Sequence, residues 1–126
     1  MPFHTNLEPP VRDALFAYMR ELDADSLFYF EKAKETPGTI PVGSALFDDT
    51  IQGAVRLELV MALRTAETPE AAYETAVQAV RLWVEKHNAK RKDKDWKRWT
   101  EHGQDKLRFL FGRVSRILTP ESRPPV

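Results

Sequence analysis

Apolar residues recur every three or four positions along most of this chain, and that spacing is the strongest constraint on how it can fold. The most regular run consists of Trp96, Trp99, Gly103, Leu107, Leu110, Val114 and Leu118. At about 100° per residue, these positions share an arc of about 100°, the width of a core-facing helix surface. No run of alternating β-branched residues and no Asn-Gly or Asp-Gly turn indicates a strand. The fold class is therefore predicted to be all-α.

Proline and capping residues mark the first two of about five predicted helices, which together form a single-domain bundle. Pro9 and Pro10 begin the first helix, because proline lacks the N–H that an interior helical position needs. Its apolar stripe consists of Val11, Leu15, Tyr18 and Leu22. The segment 23–26, Asp-Ala-Asp-Ser, predicts a stop and a new N-cap, followed by a short aromatic helix to about Lys34. Residues 35–43 contain two prolines and two glycines, so they are predicted to form a loop.

The third predicted helix begins at about Ala45 or Asp49 and ends at Ala66. Its segment 55–63 is apolar almost all round, which is typical of a central, buried helix. The segment 48–50, Asp-Asp-Thr, is interpreted as the N-cap of this helix.

The fourth predicted helix has a clear start in Thr68-Pro69-Glu70, which supplies an N-cap, a first-turn proline and a negative charge near the helix N-terminus. Its apolar stripe consists of Tyr73, Ala76, Val77, Val80, Val84 and His87. A polar, basic joint at about 88–93 separates it from the fifth helix. Three prolines among the eight residues 119–126 predict a disordered tail, which leaves 1–118 as the bundle domain.

Several classes of site are excluded by the composition. The chain has no cysteine, which rules out disulfides, thiol catalysis and cysteine-ligated metals. His4, His87 and His102 lack the spacing of metal ligands, and no phosphate-binding glycine loop or nucleophile motif occurs. No catalytic residue, metal ligand or cofactor is therefore predicted, and a binding module is favoured over an enzyme.

The expected location is the cytoplasm. The first residues show neither a basic region nor an apolar segment of the kind found in signal peptides. No apolar run approaches the roughly 20 residues that a membrane-spanning helix needs. A membrane is accordingly not expected among the partners.

Charge is distributed unevenly along a chain whose formal net charge is zero. Residues 1–50 carry four basic and nine acidic side chains, and residues 51–85 carry three and five. Residues 86–126 carry twelve basic and five acidic side chains, a net charge of +7. Such asymmetry is typical of proteins whose two ends steer different partners.

The basic segment is most concentrated between Lys86 and Arg98, where seven of thirteen residues are lysine or arginine. This density suits a phosphate backbone, because neutralised phosphates release counterions. Trp96 and Trp99 resemble base-stacking platforms, but their place in the apolar stripe predicts core packing instead. The tryptophans are therefore not assigned to the binding site.

The opposite side of the fifth helix gathers Arg91, Arg98, His102, Phe109, Arg113 and Arg116 within a narrow arc. Phe109 is the only aromatic residue among these cations, where it could stack on a base, anchor a protein partner or simply face another helix. The predicted nucleic-acid-binding residues are Lys90, Arg91, Lys94, Lys97, Arg98, His102, Phe109, Arg113 and Arg116.

Two functions remain open from the sequence. The first is a non-catalytic nucleic-acid-associated module or complex subunit that uses the basic C-terminal helix. The alternative is a protein-interaction adaptor, which would be homodimeric if the acidic and basic halves pair with each other.

Overall fold

The computed structural model describes residues 1–34, 45–91 and 96–119, with the backbone alone at 34, 45–48, 87–91, 96–97 and 99. Over these residues the chain forms helices and no strand. The α-helices are α1 (Pro9–Lys34), α2 (Ala45–Thr65), α3 (Pro69–Arg91) and α4 (Trp96–Leu118), and a short 3₁₀ helix at Phe3–Asn6 precedes them. The all-α class is confirmed, but the described residues form four α-helices rather than about five.

The predicted break at 23–26 is wrong, because α1 runs through this segment without interruption. Ser26 is buried, and its Oγ donates a 2.9 Å hydrogen bond to the Gly53 carbonyl oxygen in α2. Asp23 accepts a 2.8 Å hydrogen bond from Arg64 at the end of α2. Since both side chains bond to α2, they do not compete for the backbone of their own helix.

Consecutive helices pack against each other, and α2 also contacts α4. α1 and α2 are antiparallel, since Lys32 meets Asp49 whereas the earlier Asp23 meets the later Arg64. α3 and α4 are also antiparallel, since Val80 meets Gly103 whereas the earlier Tyr73 meets the later Phe111. The prediction for 55–63 is confirmed on its core side, where Val55, Leu59, Val60 and Leu63 are fully buried. Because α2 packs against the other three α-helices more extensively than any of them does, it forms the centre of the bundle.

The remaining core follows the predicted stripes. Its members are Leu15, Tyr18 and Leu22 from α1, Ala76, Val80 and Val84 from α3, and Leu107, Leu110 and Val114 from α4. The side chains of His87, Trp96 and Trp99, which were predicted to extend these stripes, lie outside the described residues. None of the described helices is long and apolar enough to cross a membrane.

The start of α2 at Ala45 agrees with one of its two predicted positions, but the predicted cap and the predicted joint are wrong. Asp49 and Thr50 lie inside α2 rather than at its N-cap, since the helix already starts at Ala45. The Asp49 carboxylate is buried, and its Oδ1 lies 3.8 Å from Lys32 Nζ of α1. The predicted joint at 88–93 is helical up to Arg91, where α3 ends.

Other predicted segments are only partly described. The loop at 35–43 and residues 120–126 of the tail lie outside the described residues. Thr119, the first residue assigned to the tail, is still attached to α4, because its N–H and its Oγ1 both donate to the Ser115 carbonyl oxygen, at 3.0 and 2.6 Å.

Thr68 caps α3 as predicted, because its Oγ1 accepts a 3.0 Å hydrogen bond from the Ala71 N–H. Thr68→Ala leaves that N–H without its cap and is expected to lower the free energy of unfolding by about 0.5–2 kcal/mol. Thr75→Ala, at an exposed position inside α3, is the matched control and should be neutral or slightly stabilising. Urea unfolding checks both variants, and equal effects would contradict the capping role.

Candidate interaction surface

The outer side of α4 presents Phe109 to solvent, with 77% of its surface exposed. Arg98, Arg113 and Arg116 are exposed on the same side, and His102 is half-buried. The opposite side of α4 supplies Leu107, Leu110 and Val114 to the core. The alternative in which Phe109 packs against another helix of the bundle therefore does not occur.

Four of the nine predicted binding residues have no described side chain. Lys94 lies outside the described residues altogether. Lys90 and Arg91 sit on the last turn of α3, and Lys97 on the first turn of α4, with their backbone alone described. The surface is therefore built from the five members on α4 that have described side chains.

An open groove of about 720 Å³ separates α4 from α1. The groove is lined by Ala14, Ala17, Tyr18 and Glu21 of α1 and by Arg113, Arg116 and Ile117 of α4. α1 and α4 contact each other less closely than α1 contacts α2 or α4 contacts α3. The alanine side chains do not fill the space that remains between them.

Arg113 bridges the groove. Its Nη2 lies 3.8 Å from Glu21 Oε2, and its guanidinium carbon lies 5.0 Å from the centre of the Tyr18 ring. Both ionic side chains are about half exposed, so the pair adds little stability. The pair matters for binding instead, because Arg113, one of the predicted nucleic-acid-binding residues, already contacts a carboxylate and an aromatic ring.

Tyr18 connects the two helices beneath Arg113, because its hydroxyl donates a 3.2 Å hydrogen bond to the Leu110 carbonyl oxygen. Burial raises the pKa of Tyr18 above its usual value, an effect that the nearby Arg113 partly offsets. The folded state therefore holds the phenol neutral at a pH where the unfolded chain begins to lose that proton.

This shift predicts a loss of stability at high pH. The contribution of Tyr18 is fully present below the pKa of an unfolded tyrosine, about 10, and is lost as the pH rises through the higher pKa of the folded state. Tyr18→Phe should flatten this part of the stability–pH curve. Urea unfolding at a series of alkaline pH values measures the effect, and identical curves for wild type and Tyr18→Phe would contradict it.

Beside the groove, α1 carries a second regular surface that sequence reasoning missed. The α1 outer stripe consists of Ala14, Ala17, Glu21, Ala24 and Phe28, which are all exposed and are spaced alternately by three and four residues. Phe28 is 59% exposed. The sequence does show this spacing outside the core-facing positions. Alanine and glutamate are also ordinary residues on the solvent-exposed side of a helix, however, so the spacing alone did not mark an interaction surface.

The α4 outer stripe has the same spacing and consists of Arg98, His102, Asp105, Phe109, Gly112 and Arg116. Around Gly112 the surface is open, since a Cβ added there would meet no atom within 4 Å. Alternating steps of three and four residues are the spacing with which one helix packs along another. Ala14, Ala17 and Glu21 of the α1 outer stripe and Arg116 of the α4 outer stripe line the same groove. The two stripes together are called the α1–α4 face here.

The two stripes differ in charge. Glu21 lies on the α1 outer stripe and Asp25 directly beside it, and both are exposed. The α4 outer stripe carries Arg98 and Arg116, while its one carboxylate, Asp105, lies 3.6 Å from Arg108. The α1–α4 face therefore has an acidic half and a basic half, with an exposed phenylalanine on each.

Within the described part of the chain, no three histidine, aspartate or glutamate side chains come close enough to bind a metal ion. Comparisons of the chain with protein-family models, with curated proteins and with solved structures found no match.

Proposed function

We propose that this chain is a non-catalytic protein-interaction module that binds its partner through the α1–α4 face. The observation that carries the proposal is the pair of outer stripes, which lie side by side with packing-type spacing, opposite charge and one exposed phenylalanine each. Single exposed apolar residues are common on protein surfaces. Aromatic and arginine side chains concentrated on one face are instead typical of the residues that dominate protein interfaces.

The mixed charge of the face favours a protein over a nucleic acid. A phosphate backbone is uniformly negative, so the exposed Asp25 beside the groove would repel it. Arg113 lies against Glu21 and the Tyr18 ring, which leaves it less available to a phosphate. A protein surface with charges of both signs can match both halves of the face.

The proposal is tested by photo-crosslinking in cells, with a benzophenone side chain placed at position 109 of the full chain. Position 82 is the matched control, because Leu82 is also apolar and is 63% exposed, but lies on α3. We expect a protease-sensitive, nuclease-resistant adduct from position 109 and none from position 82. Absence of an adduct at 109, or equal adducts at both positions, would contradict the proposal.

Nucleic-acid binding is a second candidate, because exposed Arg98 and Arg116 flank exposed Phe109 on the α4 outer stripe. Cations could hold phosphates while the phenyl ring stacks on an unpaired base. In fluorescence anisotropy with a single-stranded oligonucleotide, Phe109→Ala would then cost about 1–3 kcal/mol of binding free energy. Replacing Arg98 and Arg116 by glutamine would lower the salt slope by about 0.7–0.9 for each phosphate that is no longer neutralised. No binding at low salt would retire this candidate.

A further inference from the structure

We infer that the partner of the α1–α4 face is a second copy of this chain, so that the chain forms a two-fold symmetric dimer. The inference rests on the proposed function and names its partner. In such a dimer each copy contributes the same surface, which must therefore be complementary to itself. The α1–α4 face meets this condition because it carries the acidic and the basic half on adjacent helices.

Charge selects one of the two ways in which a two-helix face can pack on its own copy. A two-fold axis perpendicular to the helices places α1 on α1 and α4 on α4, so that the acidic half meets an acidic half and the basic half meets a basic half. An axis parallel to the helices places α1 of each copy on α4 of the other, so that Glu21 and Asp25 lie over the stretch between Arg98 and Arg116, where Asp105 is already paired with Arg108. Like charges in contact are unfavourable, so the second arrangement is the dimer proposed here.

The register of the bundle fits this arrangement. The hydrogen bond from Tyr18 to the Leu110 carbonyl places the neighbouring Ala17 and Phe109 at similar heights along the bundle. Rotation about an axis parallel to the helices preserves height, so Phe109 of each copy faces the α1 outer stripe of the other near its alanines. Small side chains let a second helix approach closely, and the open space at Gly112 permits the same from the α4 side.

The helix directions also agree with this dimer. Because α1 and α4 are antiparallel within one copy, the rotation brings α1 of one copy antiparallel onto α4 of the other. Four helices then surround the two grooves, an arrangement typical of helix bundles. Both exposed phenylalanines, Phe28 and Phe109, become part of the contact rather than remaining in solvent.

Two complementary charge variants of the full chain test this pairing. The α1 variant carries Glu21→Lys and Asp25→Lys, which makes both halves of the face basic. The α4 variant carries Arg98→Glu and Arg116→Glu, which makes both halves acidic. Analytical ultracentrifugation should show a wild-type dimer whose self-association weakens with salt, and each variant alone should self-associate at least about tenfold more weakly.

The mixture of the two variants is the decisive sample. In a heterodimer both α1–α4 contacts join a basic half to an acidic half, so the mixture should associate far more tightly than either variant alone. Leu82→Asp on α3 is the surface control and should dimerise like the wild type. Thermal unfolding should show that every variant stays folded, since the replaced residues are exposed.

Several results would overturn the dimer. A wild-type chain that stays monomeric from nanomolar to high-micromolar concentration excludes it, and so does a mixture that associates no better than its components. A position-109 adduct with the mass of another protein would reject the second copy but keep the interaction role. A monomer whose position-109 adduct is nuclease-sensitive would reject both in favour of a nucleic acid.

Discussion

Leu59→Ala is expected to lower the free energy of unfolding by about 2–5 kcal/mol. Leu59 is fully buried in the central helix α2, so truncation removes apolar contacts and leaves a cavity between the surrounding helices. A loss of this size is a large fraction of the roughly 5–15 kcal/mol that stabilises a typical domain. Urea unfolding should show a lower midpoint and an unchanged slope.

Leu57→Ala provides the matched control on the same helix. Leu57 is 37% exposed, because it lies on the side of α2 that faces away from the core. Its truncation should cost much less than that of Leu59, since less of its surface is removed from water on folding. Equal losses at the two positions would show that α2 does not occupy the centre of the bundle.

Gly103→Ala should destabilise the bundle even though alanine is the better helix former. A Cβ at this position would lie 2.8 Å from Val80 Cγ1 in α3. Val80 is fully buried and β-branched, so it has little freedom to move aside. The expected cost of overpacking is about 1–3 kcal/mol, of which alanine's helix propensity recovers up to about 1 kcal/mol.

Gly112→Ala on the same helix separates overpacking from helix propensity. Nothing lies within 4 Å of a Cβ at that position, so only the propensity changes there. At a dilution that keeps the chain monomeric, this variant should be more stable by about 0.5–1 kcal/mol. Val80→Ala removes the methyl group that the added Cβ at position 103 would approach. The double variant should therefore lose less stability than the sum of the two single variants. Gly103→Ala that stabilises as much as Gly112→Ala would contradict the close packing of α3 and α4.

The core could be predicted from the sequence because burial follows helical spacing. Leu15, Leu22, Val80, Leu107 and Val114 all recur at core-facing intervals, and all are buried. The Thr68 cap was equally predictable, since its hydrogen bond joins residues three positions apart. In both cases the information lies within one or two helical turns of the residue concerned.

The errors come from interactions between residues distant in sequence. Ser26 and Asp49 have capping chemistry, but their partners, Gly53 and Lys32, are on other helices. The same limit applies to the candidate surface. Its basic half is continuous along α4 and was visible in the sequence, whereas its acidic half joins it only after α1 packs beside α4.

The short segment before α1 is held by two hydrogen bonds to carbonyl oxygens at the C-terminal end of α2 and just after it. The Phe3 N–H donates to the Ala66 carbonyl oxygen at 3.0 Å, and His4 Nε2 donates to the Arg64 carbonyl oxygen at 3.1 Å. During synthesis these donors emerge well before their acceptors, which are added only after all of α1 and most of α2. Before α1 and α2 have packed together, these bonds would have to close a long loop, which is entropically costly; after they have packed, the donors already lie close to their acceptors. This segment is therefore expected to join the structure late in folding, as a latch on an α1–α2 pair that is already assembled.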